Sequence, residues 1–152
     1  MEISAATTAA IGSQLWIVNN GSSPVNLDDL SLRYYFTNEV TAALTNNINW
    51  ANVGLVGGSS TGFPTGNITI AVVPMSTPVA SANTYVEFSF TGSNMLAASH
   101  YVQFSWRVQD FMSQNFTQTG DYSFNAAATA ETSWQNVVLL YQGQSVVWGT
   151  PP

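Results

Sequence analysis

The stretch Leu30-Ser-Leu-Arg-Tyr-Tyr-Phe-Thr37 decides how this chain folds. Leu30, Leu32, Tyr34 and Phe36 alternate with Ser31, Arg33 and Tyr35, and a two-residue period is that of a strand whose successive side chains point to opposite faces. The first set predicts a buried face. The second, with Arg33 and Tyr35, predicts an outward one. The same period recurs downstream. In Thr84–Phe90 the inward set is Val86, Phe88 and Phe90, against Tyr85, Glu87 and Ser89. In Tyr101–Val108 it is Val102, Phe104, Trp106 and Val108, so that Arg107 faces outward with Tyr101, Gln103 and Ser105.

Further strands are predicted over Gln14–Asn19, Asn67–Val73, Asn136–Tyr141 and Ser145–Trp148, the last two joined through Gln142-Gly-Gln as a short hairpin. Short apolar runs separated by clusters of Gly, Pro, Asn and Ser, with no sustained helical period, have the spacing of an all-β sandwich. Between Val40 and Gly66 the strand signal is weakest. Asn49-Trp50 and Gly62-Phe63-Pro64 are therefore expected in surface loops, where a sandwich displays its binding residues.

Composition narrows the partners. The chain has 152 residues, enough for one domain with a sizeable core, and 45% of them are hydrophobic, which argues for a folded globule. Only 7% are charged, far below the usual quarter. Arg33 and Arg107 are the only basic residues besides one histidine, so the electrostatic footprint for nucleic acid or an anionic membrane surface is missing. A formal charge of −6 reflects scarce bases more than abundant acids. The surface is expected to be polar and nearly neutral, suited to an uncharged ligand. Zero cysteines remove disulfides, thiolate nucleophiles and zinc-thiolate sites. No apolar run reaches membrane-spanning length, and Met1-Glu-Ile-Ser-Ala-Ala has neither the basic start nor the long apolar stretch of a secretory leader.

Catalytic chemistry is poorly supplied. The single His100 stands at a strand start with no motif around it and reads as a structural or surface residue. A glycosidase needs two carboxylates across a scissile bond, yet Asp28 and Asp29 sit together in a turn. No nucleophile elbow, phosphate loop or histidine metal cluster is present, and no enzyme activity is expected.

Three segments, Leu30–Thr37, Asn115-Phe-Thr-Gln-Thr-Gly-Asp-Tyr-Ser-Phe124 and Val147-Trp-Gly-Thr-Pro151, stand in this order after a Gly21-Ser-Ser turn and Asn26-Leu-Asp-Asp-Leu30. Together they resemble a family 3 carbohydrate-binding module, over nearly the whole chain. The resemblance implies one module spanning residues 1–152 as a two-sheet antiparallel β-sandwich with jelly-roll topology. It implies an extracellular, secreted protein that grips crystalline cellulose or a related polysaccharide through a planar aromatic and polar strip. Asn49, Trp50, Phe63 and Arg107 fall at strip positions, with Phe111 close enough to contribute. Asn49 stands where the family has an acid that pairs with the arginine, Phe63 where it has a tyrosine, and Ser113 where it has a stacking tryptophan.

The resemblance also implies a structural calcium held where two segments meet, by Thr37, Glu39, Thr117, Asp121 and the carbonyl of Gly120. Glu39 replaces the usual Asp and Gly120 the usual Asn. A shallow groove opposite the strip would be lined by Arg33, Tyr35, Tyr85, Glu87 and Tyr122, either as a cross-strand network or as a seat for a peptide linker or a glycan chain. Two further readings follow from the altered strip and the low charge: an ancillary module packed against a glycoside hydrolase domain, or a structural subunit of an extracellular assembly.

Overall fold

Strict alternation in Leu30–Phe36 yields the middle strand of one of two facing sheets. A computed structural model describes residues 2–3, of which the backbone alone is described, and 6–152. Met1, Ser4 and Ala5, part of the Met1–Ala6 segment that lacks the features of a secretory leader, lie outside the described residues. The first sheet runs β1 (Glu2–Ile3), β3 (Ala10–Val18), β11 (His100–Asp110), β6 (Leu44–Leu55) and β7 (Ser60–Gly62). The second runs β14 (Ser145–Trp148), β13 (Val137–Tyr141), β5 (Leu30–Phe36), β9 (Ala82–Phe90) and β8 (Ile68–Val79). Every pairing is antiparallel. The chain crosses from sheet to sheet between β3 and β5, β5 and β6, β7 and β8, β9 and β11, and β11 and β13. Two short ladders, β4 (Val25–Asn26) with β10 (Met95–Leu96) and β2 (Thr7–Thr8) with β12 (Phe116–Thr117), tie connecting segments at the periphery. This is the two-sheet jelly-roll sandwich expected from the sequence.

The inward sets of β5, β9 and β11 meet between the layers. Trp106 sits at the centre, its ring 5.2 Å from Tyr34 and 5.1 Å from Phe88, both edge-on, while Phe88 lies 5.0 Å from Phe104. Edge-to-face contacts of this kind add to the burial of large rings. The Trp106 indole N–H donates to Ser13 Oγ at 2.9 Å, so the one polar atom of the ring is satisfied inside the core.

The structure corrects three expectations. The weak-signal stretch after Val40 contains a twelve-residue strand, β6, so Asn49 and Trp50 stand on a sheet and not in a loop. Phe63 is buried against Phe90, ring centroids 6.4 Å apart, because it continues β7 one residue past Gly62 and its N–H donates to Ala51 O on the inward side of β6. It belongs to the core and not to an exposed strip. Tyr35 has the outward parity expected of it, yet only 5% of it is exposed, since Tyr85 and Tyr122 close over the ring.

Candidate functional site

The outward residues of the first sheet form a polar, nearly uncharged face. Register fixes its rows: Gln103 lies between Trp16 and Asn52, Ser105 between Gln14 and Trp50, and Arg107 between Gly12 and Asn47. A bulge between Ser105 and Trp106 leaves Asn49 as the extra residue of β6, and both Asn49 and Trp50 end up exposed. Gly12 lets β3 approach β11 closely beside Arg107. A Cβ at that position would lie 2.4 Å from the Trp106 carbonyl oxygen, an approach that only glycine permits.

A chain of hydrogen bonds crosses this face. The Arg107 Nε–H donates to Asn47 Oδ1 at 2.6 Å, Asn47 Nδ2 donates to Asn49 Oδ1 at 2.6 Å, and Asn49 Nδ2 donates to Ser105 Oγ at 3.1 Å. Gln103 Nε2 donates to Gln14 Oε1 at 2.9 Å in the next rows. Asn49, expected in place of the arginine's acidic partner, is therefore one link further on. Asn47 holds the guanidinium. Trp50, 36% exposed, stands beside this chain, and Phe111 lies just beyond the end of β11 with 79% of its surface open. Of the five strip residues expected, four share this face or its end and Phe63 does not. Asn47 and Trp16 were missed: the bulge conceals the parity of Asn47, and the apolar neighbours of Trp16 make it resemble a core residue.

The five groove residues lie together on the outer face of the second sheet. The Arg33 Nε–H donates to Glu87 Oε2 at 2.6 Å, and the guanidinium carbon sits 4.5 Å above the centre of the Tyr85 ring. Tyr122 donates its hydroxyl to Thr150 O at 2.8 Å. A shallow trough of about 350 Å³ lies here, bounded by Arg33, Tyr35, Tyr85, Met75, Pro151 and Pro152.

Beyond the end of β5, two loops bring Glu39 and Asp121 together. The Thr37 N–H donates to Asp121 Oδ1 at 2.8 Å and the Thr117 N–H donates to Glu39 Oε2 at 2.7 Å. Asp121 Oδ2 is buried with no hydrogen-bond partner among the described residues. Burial pushes the Asp121 carboxyl up to about 6; Thr37 opposes the shift by hydrogen bonding and the negative Glu39 adds to it. Gly120, at φ +95, turns the backbone between these ligand-type residues. The donor set is all oxygen with two carboxylates, the chemistry of a hard cation, and an orphaned carboxylate oxygen is what such an ion would satisfy. Among the described residues no cluster reaches three His, Cys, Asp or Glu side chains, so hydroxyl and carbonyl oxygens would complete the shell.

A family model described as cellulose binding domain matches residues 1–149. A Paenibacillus lautus protein described as an uncharacterized protein in the celA 5' region is 35% identical over 158 residues, with 100% of each chain covered. Endoglucanase A of the same organism is 36% identical over 151 residues, 97% of this chain but 19% of that one. The chain thus spans the full length of the first relative and about a fifth of the second. The solved structure of a family 3a carbohydrate binding module from the cipA scaffolding of Clostridium thermocellum superposes with a TM-score of 0.87 at 35% identity, covering 96% of this chain and 93% of that one.

Proposed function

The chain belongs to the family 3 carbohydrate-binding modules, which bind without catalysing, and from that membership we propose that residues 1–152 form a single module binding cellulose or a related polysaccharide through the polar face of the first sheet. The observation that carries this reading is Trp50 standing exposed beside the Arg107–Asn47–Asn49–Ser105 chain. A pyranose ring offers an apolar C–H face that packs on an indole, and its hydroxyls exchange hydrogen bonds with amides and a guanidinium laid out on one face. Arg107, Asn49 and Phe111 extend the contact on either side of Trp50. A polysaccharide ligand favours a secreted protein acting outside the cell. No helix of the described residues is long and apolar enough to cross a membrane.

Retention on microcrystalline cellulose tests the proposal. The native module is expected to bind, and Trp50→Ala to weaken binding by roughly tenfold, the equivalent of losing one stacked ring. No retention of the native module overturns it. Phe63→Leu separates core from surface: it is expected to cost about 1 kcal/mol in urea unfolding while leaving the affinity unchanged.

Calcium completes the proposal as a structural ion. Thr37, Glu39, Thr117, Asp121 and the Gly120 carbonyl would hold it, and its charge would compensate two neighbouring carboxylates. A second reading assigns the outer face of the other sheet to a linker peptide or an adjacent glycoside hydrolase domain. It is favoured by the aromatic trough bordered by Pro151 and Pro152 and by the relative in which such a module forms part of an endoglucanase chain.

A further inference from the structure

With Phe63 in the core, Trp50 and Phe111, just past the end of β11, are the exposed rings of the expected strip that remain. The register supplies another. Along β3, Ile11, Leu15 and Ile17 are buried while Gly12, Gln14, Trp16 and Val18 are partly exposed, so Trp16 has the parity of Gln14 and faces the same side as Trp50. Trp16 lies opposite Gln103, which lies opposite Asn52, and Asn52 is two residues from Trp50. Two strand spacings across and two residues along put the two tryptophan backbones roughly 12 Å apart on a diagonal.

The ground between them is polar. The diagonal crosses β11 between Ser105 and Gln103, which flank it, Gln103 bonded to Gln14 and Ser105 reached by the Asn49 amide. Tyr101, between Val18 and Gly54 one row further, adds a third partly exposed ring on the same face. Trp16, partly exposed, also borders a cleft of about 480 Å³ lined by residues of both sheets.

We propose that Trp16 is a second stacking residue, and that the polysaccharide-binding face runs diagonally across β6, β11 and β3 from Trp50 to Trp16. This rests on the cellulose reading of the face. An extended, flat glycan chain lying on that diagonal rests on both indoles, and the Gln14, Gln103 and Ser105 side chains beneath it meet the hydroxyls at the ring edges. Two rings set apart on a diagonal fix the direction of the chain, which one ring cannot do.

The test combines affinity with contact mapping. On microcrystalline cellulose, Trp16→Ala is expected to weaken binding by roughly fivefold, as for the loss of one ring contact, and Trp16→Phe to retain most of it. Oxidative footprinting of the native module, free and adsorbed, is expected to show Trp16 and Trp50 protected together, with Tyr85 on the opposite sheet unchanged; this readout does not depend on a variant folding. If the native module binds and Trp16 is oxidised equally in both states, the diagonal site is wrong, whatever Trp16→Ala does to the affinity. Unchanged affinity of Trp16→Ala with Trp50→Ala still impaired overturns it as well. If the native module is not retained at all, the cellulose reading falls and the diagonal with it.

Discussion

Trp106→Ala is expected to lower the free energy of unfolding by about 3–5 kcal/mol, measured as a shifted urea midpoint at unchanged slope. Trp106 is among the largest fully buried side chains, and it couples both layers: β11 carries it, Tyr34 of β5 and Phe88 of β9 meet its ring from the other sheet. Alanine leaves a cavity whose walls are themselves aromatic and stiff, so they collapse into it poorly. It also strands Ser13 Oγ, which is nearly buried and loses the indole N–H as a donor. Against a total stability of about 5–15 kcal/mol for a domain of this kind, the loss is a large fraction of the whole. Trp106→Phe refills most of the volume and is expected to recover more than half of it. A cost below about 1.5 kcal/mol for the alanine variant, the scale of a mild repacking, would mean that Trp106 does not anchor the two layers.

How much of this was legible in the sequence depended on whether a strand's partners altered its period. β5, β9 and β11 alternate strictly and face the core from their own sheets without interruption, so their inward sets were readable residue by residue. β6 was not, because its inward residues Ile48 and Ala51 are three apart and its outward residues are mostly asparagine; only the bulge opposite Ser105 and Trp106 restores the pattern, and that bulge is a property of the pair. Phe63 failed for a related reason. Its face is set by the pairing of β7 with β6, and a three-residue strand carries no period of its own. Tyr35 was assigned the correct face, yet the loop bearing Tyr122 covers it, and such a long-range cover leaves no local trace. The cation loops were legible as types of ligand residue through the family resemblance, whereas the orphaned Asp121 oxygen arises only from how the two loops pack together.

That oxygen leads to the second large effect. Added calcium is expected to stabilise the module at pH 7, by about 2.7 kcal/mol at a free concentration a hundred times its dissociation constant, and a chelator to remove the gain. For a chain of this length each kcal/mol moves the thermal midpoint by roughly 2–4 °C, so scanning calorimetry resolves the shift easily. The pH dependence follows from the raised Asp121. Without metal the folded state keeps this proton up to about pH 6, while the unfolded chain releases it near the ordinary value of 3.8. Between those values the native state binds more protons, so this group makes stability fall as pH rises, and its ionised form is a standing penalty at neutrality. A divalent ion binds the ionised carboxylate and removes that penalty. The calcium effect should therefore be nearly full at pH 7 and fall to about half, roughly 1.4 kcal/mol, at pH 5 and the same calcium concentration, where the proton competes for the same oxygen and weakens binding about tenfold. Asp121→Asn keeps an acceptor for the Thr37 N–H but removes the charge, and its midpoint is expected not to respond to calcium at either pH. An unchanged native midpoint on adding millimolar calcium at pH 7 would show that Glu39 and Gly120 have cost this site its ion.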